Sequence, residues 1–181
     1  PSKSHIANKV GTVVTFNATN KTLVSSNTGT IAFTDFADGD IIVVTGSTSN
    51  NATFTVTGTP TATTLTVLET VATEAAGASV TVDHQGAYSA KQKADGYYGY
   101  TDGLHTSAFH LNAYIGTIKM QASLASAPTK DDWFDVDATT VTYASAETSN
   151  KGYNYTGNFV WIRAALTGMT AGSVTKVLYN Y

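Results

Sequence analysis

The sequence predicts an all-β protein, and three observations support this prediction. Thr, which suits a pleated strand better than a helix because it branches at Cβ, accounts for 32 of the 181 residues. Short runs that alternate apolar and polar residues recur about every ten residues, with turn residues between them. Only residues 71–77 (VATEAAG) have a helix-like composition, and a segment this short does not form a stable helix alone.

The first half of the chain contains seven predicted strands. Phe54 and Val56 share one face of their run, and Leu65 and Val67 share one face of the next, so the turn at Pro60 predicts a hairpin. Seven short strands with frequent turns predict a small β-sandwich or barrel. The runs are GTVVTF, KTLVSS, TIAF, DIIVVTG, ATFTVTG, TTLTVLE and ASVTV.

The second half contains six predicted strands. The run FVWIRAAL is apolar on both faces except at Arg163, which is typical of a central strand. The Gly-bounded segment TGMTAGS after it predicts a hairpin connection to a closing strand, SVTKVLYNY. This half therefore predicts an antiparallel, jelly-roll-like β-sandwich. The runs are SAFHLNAYI, GTIKMQASL, DDWFDVD, TTVTYAS, GNFVWIRAALTG and GSVTKVLYNY.

Aromatic residues divide the chain into two parts of different composition. The only aromatic side chains of Phe, Tyr or Trp before His84 are four Phe, whereas all ten Tyr and both Trp follow it. This predicts an N-terminal β module (1–84), a linker (85–96) and a C-terminal Tyr/Trp-rich β-sandwich (97–181).

Composition excludes several functional classes. Charged residues make up 13% of the chain, the net charge is −3, and Lys and Arg form no long run, so we expect no nucleic-acid partner. The absence of Cys excludes thiolate metal sites and a cysteine nucleophile. No window approaches eighteen uninterrupted apolar residues, so we expect no membrane partner. Nothing in the sequence predicts a cofactor.

The triplet Asp38-Gly39-Asp40 is consistent with either a calcium loop or a tight turn. An EF-hand loop requires a bidentate Glu at its twelfth position, but the twelfth residue from Asp38 is Ser49. Gly tolerates positive φ and Asp bonds nearby backbone, so the triplet favours a turn. A weak cation site at Asp38 and Asp40 is the alternative.

Two other patterns contain residue types that carry chemistry in other proteins. Several Asp surround Trp133 in KDDWFDVD, but a glycosidase needs a second carboxylate on an opposed element, and charges on an edge strand serve to prevent aggregation. His105 and His110 lie five positions apart, on opposite faces of a strand, which predicts one buried and one surface His rather than a metal pair. We therefore predict no catalytic residues and no enzymatic activity.

The segment DGYYGYTDG is the strongest candidate for a contact surface. Its Tyr side chains lie in a turn-like setting, where exposed Tyr provides rigid amphipathic area for sugars or protein partners. The alternative is that these rings pack in the interior. The partner- or glycan-contact candidates are Tyr97, Tyr98, Tyr100, Trp133, Tyr153 and Tyr155.

Two stretches resemble the β-rich virion structural proteins of tailed bacteriophages of marine and cyanobacterial type. The first is FTDFADGDIIVVTGSTSNNATFTVTGTPTATTLTVLETVATEAAGASVTV, which is similar to a small β module of particle proteins. The second runs from GTIKMQASLASAPTKDDWFDVD to GNFVWIRAALTGMTAGSVTKVLYNY and is similar to a β-sandwich of such proteins. Together they cover about 120 residues, and their landmarks mark turns and core strands.

The resemblance implies a non-enzymatic component of the virion, assembled in the host cytoplasm. Capsid decoration on the particle surface is the leading expectation, because two compact modules suit an outer-surface plug. The alternatives are a tail or head fibre, an adaptor, or a carbohydrate-binding module that recognises a receptor. The expected partners are other virion proteins, further copies of this chain in a homo-oligomer, and a glycan of the host surface.

Overall fold

The computed structural model describes residues 2–100 and 103–181, and it confirms the all-β prediction. Strands account for 57% of the described residues and helix for 2%. No helix in the described ranges has the length and apolar character needed to cross a lipid bilayer. The elements, in chain order, are β1 (Lys3–Ser4), β2 (Lys9–Gly11), β3 (Val14–Asn17), β4 (Thr22–Ser25), β5 (Asp40–Thr45), β6 (Ala52–Thr57), β7 (Thr64–Val67), β8 (Val80–Tyr88), β9 (Gln92–Lys93), α1 (Asp95–Tyr98), β10 (Leu104–Ser123), β11 (Phe134–Glu147), β12 (Asn150–Thr156) and β13 (Trp161–Asn180).

The chain forms two compact units. The N-terminal unit is Ile6–Gly86, and the C-terminal unit is Ala87–Tyr181 together with the short segment that ends at His5. The division between Gly86 and Ala87 falls inside β8. Residues 85–96, for which the sequence predicts a linker, hold the end of β8, the whole of β9 and the start of α1.

The strands of the N-terminal unit are hydrogen-bonded in the order β3-β4-β7-β6-β5-β8, and β2 pairs with β8. Apolar residues face each other across neighbouring strands: Phe16 pairs with Leu23, and Leu23 pairs with Leu65. The predicted β6–β7 hairpin is confirmed by the antiparallel pairing of Val56 with Val67. The core of this unit includes all four of its Phe side chains, Phe16, Phe33, Phe36 and Phe54.

Residues 71–77 do not form the helical turn that their composition suggests. Glu74 instead makes an isolated antiparallel bridge with Phe16, in which each backbone N–H donates to the other residue's carbonyl oxygen. The backbone N–H and carbonyl group of Glu74 are therefore paired, which a lone helical turn would leave mostly unsatisfied.

The C-terminal unit is built around β10, which pairs antiparallel with other strands along both of its edges. Along one edge, β10 pairs with β13, from Thr106–Asn180 to Ser123–Trp161. Along its other edge, β10 pairs first with β12 and then with β11. The strands β11 and β12 therefore continue one another alongside β10, with residues 148 and 149 between them.

The prediction of a hairpin at TGMTAGS is wrong, because β13 continues through this segment as a single strand. Gly168 and Gly172 take positive φ values of 57° and 71° inside β13, and the register between β10 and β13 shifts near the same place. On β10, Ala113 and Gly116 also have positive φ. These residues bend the strands as bulges do, so the glycines change the direction of the strand without reversing it.

The bend folds each long strand so that its two halves contribute to one core, which gives the unit a sandwich-like arrangement. On β10, Phe109 lies before the bend and Ile118 after it. On β13, Ile162 lies before the bend and Val174 after it. All four side chains belong to one core. The end opposite the bend contains the start of β10, the end of β12 and both ends of β13. The helix α1 lies against this end, where the Phe159 N–H donates to Asp95 Oδ1.

Candidate binding surface

The helix α1 and the two residues after it place three of the predicted Tyr side chains at the protein surface. Tyr97, Tyr98 and Tyr100 are 42%, 49% and 58% exposed. The helix ends at Gly99, whose left-handed conformation (φ 79°) turns the chain so that Tyr100 follows on the same side. The Tyr98 ring lies nearly parallel to the Tyr181 ring, at a centroid distance of 6.0 Å, and it stacks with the Tyr100 ring at 6.1 Å.

Trp161 and two Lys complete this surface. The Tyr97 ring packs edge-on against Trp161 at 5.0 Å. Lys93 Nζ lies 4.2 Å from the centre of the Tyr97 ring, and Lys91 Nζ lies 4.4 Å from that of Trp161. Such cation–π contacts hold ammonium groups at an aromatic surface. We call this surface the aromatic end; it consists of Tyr97, Tyr98, Tyr100, Trp161, Tyr181, Lys91 and Lys93.

Sequence reasoning identified Tyr97, Tyr98 and Tyr100 but missed Trp161 and Tyr181. These two residues stand near the start of β13 and just after its end, and only the pairing of β13 with β9 and β10 brings them to α1. The high Tyr content of the second half was the only available signal, and it does not indicate which rings meet.

A buried pair formed by an aspartate and a histidine lies beneath the aromatic end. Asp95 and His105 are 1% and 0% exposed, and Asp95 Oδ1 lies 3.3 Å from His105 Nε2. The Gly157 carbonyl oxygen lies 2.6 Å from the same nitrogen. Both neighbours of Nε2 are acceptors, so Nε2 carries the proton. Asp95 begins α1, so this pair attaches the helix to the start of β10.

His105 also connects to the exposed rings. Its Nδ1 lies 2.9 Å from the Tyr179 hydroxyl group, and its ring stacks on Tyr179 and Tyr155. Tyr179 in turn stacks on Tyr181 at 5.7 Å. Burial raises the pKa of Tyr179 well above its ordinary value, which keeps the hydroxyl group protonated and able to donate to His105. The buried pair therefore positions Tyr181 through Tyr179.

Trp133 lies outside the aromatic end. The guanidinium group of Arg163 lies 4.2 Å from the Trp133 ring and 3.8 Å from the Tyr88 ring. Burial lowers the pKa of Arg163 to about 10, so the group remains charged at neutral pH. One face of Trp133 is thus already covered by a cation.

Tyr153 and Tyr155 do not extend the exposed surface as the sequence suggested. Tyr155 is 5% exposed, and its hydroxyl group bonds Ser107 at 2.7 Å. Tyr153 is half-buried, with its hydroxyl group 3.3 Å from that of Tyr143 and its ring edge-on to Phe109. These rings fill the sandwich, which corresponds to the alternative of interior packing.

The turn predicted at Asp38-Gly39 is confirmed, since Gly39 has a φ of 84°. Asp38 Oδ1 accepts the Gly58 N–H at 2.9 Å. Asp40 is 1% exposed and its Oδ2 accepts the Ala37 N–H at 2.8 Å. Both carboxylates thus bond the backbone around the turn. Within residues 2–100 and 103–181, no three side chains of the metal-binding types form a cluster.

The acidic segment 131–137 is also largely engaged by its neighbours. Asp135 contacts Lys119 Nζ at 2.6 Å and Gln121 Nε2 at 2.8 Å. Burial alone would raise the pKa of Asp135, but these hydrogen bonds and the charge of Lys119 outweigh it and lower the pKa. Asp132 accepts the N–H and hydroxyl hydrogens of Thr129. These carboxylates stabilise their own loop and strand.

The structure confirms the buried histidine of the pair and places the other at an intermediate position. His105 is buried, whereas His110, on the same strand, is half-exposed. Both ring nitrogens of His105 are engaged, one with the Tyr179 hydroxyl group and the other with the Gly157 carbonyl oxygen.

Comparison with protein-family models, with curated proteins and with solved structures found no match. Functional inference therefore rests on the residues themselves. The aromatic end offers ring surfaces, phenolic hydroxyl groups and two ammonium groups, which suit binding rather than bond cleavage.

Proposed function

We propose that this protein is a non-enzymatic structural protein of a bacteriophage particle, and that it decorates the particle surface. Two lines of reasoning support the proposal. The two long stretches described above resemble virion proteins, and their matched landmarks are turns and core strands. The aromatic end provides a surface through which such a protein binds.

The observation that carries the proposal is the concentration of exposed rings at one end of the C-terminal unit. Four Tyr that are 42–58% exposed lie within contact of one another. Tyr and Trp are enriched at the centres of protein interfaces, where their burial contributes most of the binding energy. The stack of Tyr181 on Tyr179, which His105 holds, means that part of this surface is ordered before binding, which reduces the entropic cost of association.

Decoration of a lattice also explains how a small contact surface can hold the protein on the particle. A particle presents the same binding site many times, so contacts that are weak individually become stable when copies of this chain associate with the lattice and with one another. The partners under this proposal are capsid or other virion proteins and further copies of this chain.

The copy number of the protein in particles tests this proposal. We expect purified particles of the phage that encodes the chain to contain it in numbers comparable to the major capsid protein, as measured by quantitative mass spectrometry. A few copies located at the tail by immunolabelling would instead indicate a fibre or adaptor. Absence of the protein from particles would overturn the proposal.

A matched pair of variants tests the role of the aromatic end. We expect Tyr97→Ala combined with Tyr98→Ala to weaken binding to particles that lack the protein, because two exposed rings are lost. Leu68→Ala in the N-terminal unit, at a side chain 45% exposed, is the control and should bind normally. Equal binding by both variants would exclude the aromatic end as the docking surface.

A second candidate function is recognition of a host glycan by the same rings. The exposed Tyr98 ring, with the neighbouring Tyr100 and Tyr181 rings, favours this candidate because aromatic rings bind the C–H faces of sugars. Glycan-array binding that Tyr98→Ala abolishes, with the fold intact by circular dichroism, would support it. Lack of binding to the array would remove it.

A further inference from the structure

A cleft of about 500 Å³ opens in the C-terminal unit, apart from the rings of the aromatic end. It is lined by three consecutive residues near the start of β11, by three at the end of β12, and by Leu104 at the start of β10. We call it the β11–β12 cleft. Its volume is within the range of small-molecule sites in proteins. The lining residues are Leu104, Val136, Asp137, Ala138, Asn154, Tyr155 and Thr156.

A bulge in β11 shapes one wall of this cleft. Val136 pairs with Met120, and Val141 pairs with Ile118, so the two residues of β11 are five positions apart while their partners are two apart. Thr139, which is fully buried, occupies the gap: its Oγ1 accepts the Met120 N–H at 2.8 Å and donates to the Val136 carbonyl oxygen at 2.7 Å. Asp137 and Ala138 therefore leave the regular ladder and are exposed.

Asp137 differs from the other acidic residues of its segment. Asp131 pairs with Lys130, Asp132 bonds Thr129, and Asp135 bonds Lys119. Asp137 forms no ion pair or hydrogen bond with a residue in the described parts of the chain. Its carboxylate remains available to accept hydrogen bonds from a ligand.

The opposite wall supplies donors and apolar surface. Asn154 Oδ1 accepts the Thr106 hydroxyl hydrogen at 2.9 Å, which leaves the two N–H groups of the amide available to donate. Thr156 adds an exposed hydroxyl group, and Leu104, which is 57% exposed, adds apolar area. The cleft thus combines acceptors, donors and apolar contacts.

We infer that the β11–β12 cleft binds a neutral saccharide. Sugar hydroxyl groups both donate and accept hydrogen bonds, so they match Asp137 and Asn154 together, and the C–H face of a sugar ring matches Leu104. An acidic sugar is disfavoured, because the lining contains a carboxylate and no Lys, Arg or His. A divalent cation prefers several oxygen ligands, and the lining provides only one carboxylate. This inference goes beyond the proposed decoration role.

A glycan array followed by titration tests the inference. The array carries neutral glycans of mannose, galactose, glucose and N-acetylglucosamine, together with their sialylated counterparts, and is probed with the full chain. We expect binding to at least one neutral glycan and weaker binding to its sialylated form. Titration of the ¹⁵N-labelled protein with that glycan should shift the amide signals of residues 136–138 and 154–156.

Variants distinguish the cleft from other surfaces. We expect Asp137→Ala and Asn154→Ala each to weaken binding about tenfold, as for loss of one strong hydrogen bond. Both residues are exposed, so the fold should persist. Asp131→Ala, at an exposed carboxylate outside the cleft, is the matched control and should bind normally. Absence of neutral-glycan binding, equal binding of sialylated forms, or loss of binding only in Tyr98→Ala would overturn the inference.

Discussion

At the residue scale, the carboxylate of Glu74 organises the loop between β5 and β6. Its two oxygens accept hydrogen bonds from the Ser47 hydroxyl group at 2.6 Å and the Thr48 N–H at 2.9 Å. The Ser49 N–H and the Asn50 amide also donate to it at 3.0 Å. These donors, with the Ser47 hydroxyl group as the largest cause, lower the pKa of Glu74 to about 2. A single carboxylate thus accepts hydrogen bonds from four donors of this loop.

We expect Glu74→Gln to lower the free energy of unfolding by about 2 kcal/mol at pH 7, because hydrogen bonds to a charged acceptor become bonds to a neutral amide and one oxygen is lost. Urea denaturation followed by circular dichroism measures this difference. Asp131→Asn, at an exposed carboxylate, is the control and should change the free energy by less than about 0.5 kcal/mol. Equal effects of the two substitutions would contradict the role of Glu74.

The lowered pKa of Glu74 also predicts a pH dependence. The folded-state pKa of about 2 lies below the ordinary value of 4.5, so the stabilisation is present above pH 4.5 and is lost as the pH falls from 4.5 towards 2. Denaturation of the wild-type chain across this window should show that loss, and Glu74→Gln should lack this component. Parallel pH profiles of the two proteins would argue against it.

At the element scale, the glycines of β13 convert what resembles a hairpin into a bent strand. Both Gly168 and Gly172 have positive φ, but their surroundings differ. A Cβ atom on Gly172 would overlap the backbone of Ala113 and Asn112 on β10, whereas one on Gly168 would meet no atom within 4 Å. Gly172 therefore allows close approach of two strands in addition to the bend.

We expect Gly168→Ala to cost about 1 kcal/mol, the usual penalty of left-handed backbone for a residue with a Cβ atom. Gly172→Ala should cost about 1–3 kcal/mol more, because the backbone of β10 must move as well. Thermal and chemical unfolding of the two variants compare these costs. If both variants unfold with the same free energy, close packing at Gly172 is not what selects glycine there.

At the scale of the whole molecule, each unit has its own hydrophobic core. The core of the N-terminal unit draws on β3 to β8. The core of the C-terminal unit draws on Ala94, just before α1, and on β10 to β13. A separate core is the physical requirement for independent folding.

We therefore expect the isolated fragment 6–86 to fold. Circular dichroism should show β structure, and its amide proton signals should be dispersed in an NMR spectrum. Phe54→Ala in this fragment is the matched control: it removes a ring that is 2% exposed, at a cost of about 3–5 kcal/mol, and should unfold a unit of this size. A fragment with collapsed amide signals would show that the unit depends on the rest of the chain.

Residues of the candidate surface could be predicted from the sequence where they lie close together along the chain, and not where distant segments bring them together. Tyr97, Tyr98 and Tyr100 were identifiable because they are close together in a Gly-rich segment, and local turn chemistry exposes them. Trp161 and Tyr181 were not, because only strand pairing brings them to α1. Tyr155 was misjudged, since alternation along β12 directs it inward, next to His105.

The amino-acid sequence by itself determined the β class, the β6–β7 hairpin and the turn at Gly39, because alternation and turn residues act over a few neighbouring positions. Only the tertiary structure decided that β13 bends at Gly168 and Gly172 instead of reversing. A glycine permits both outcomes, and the neighbouring backbone of β10, distant in sequence, selects one. The same reason applies to the aromatic end, whose rings meet through long-range pairing that no local pattern encodes.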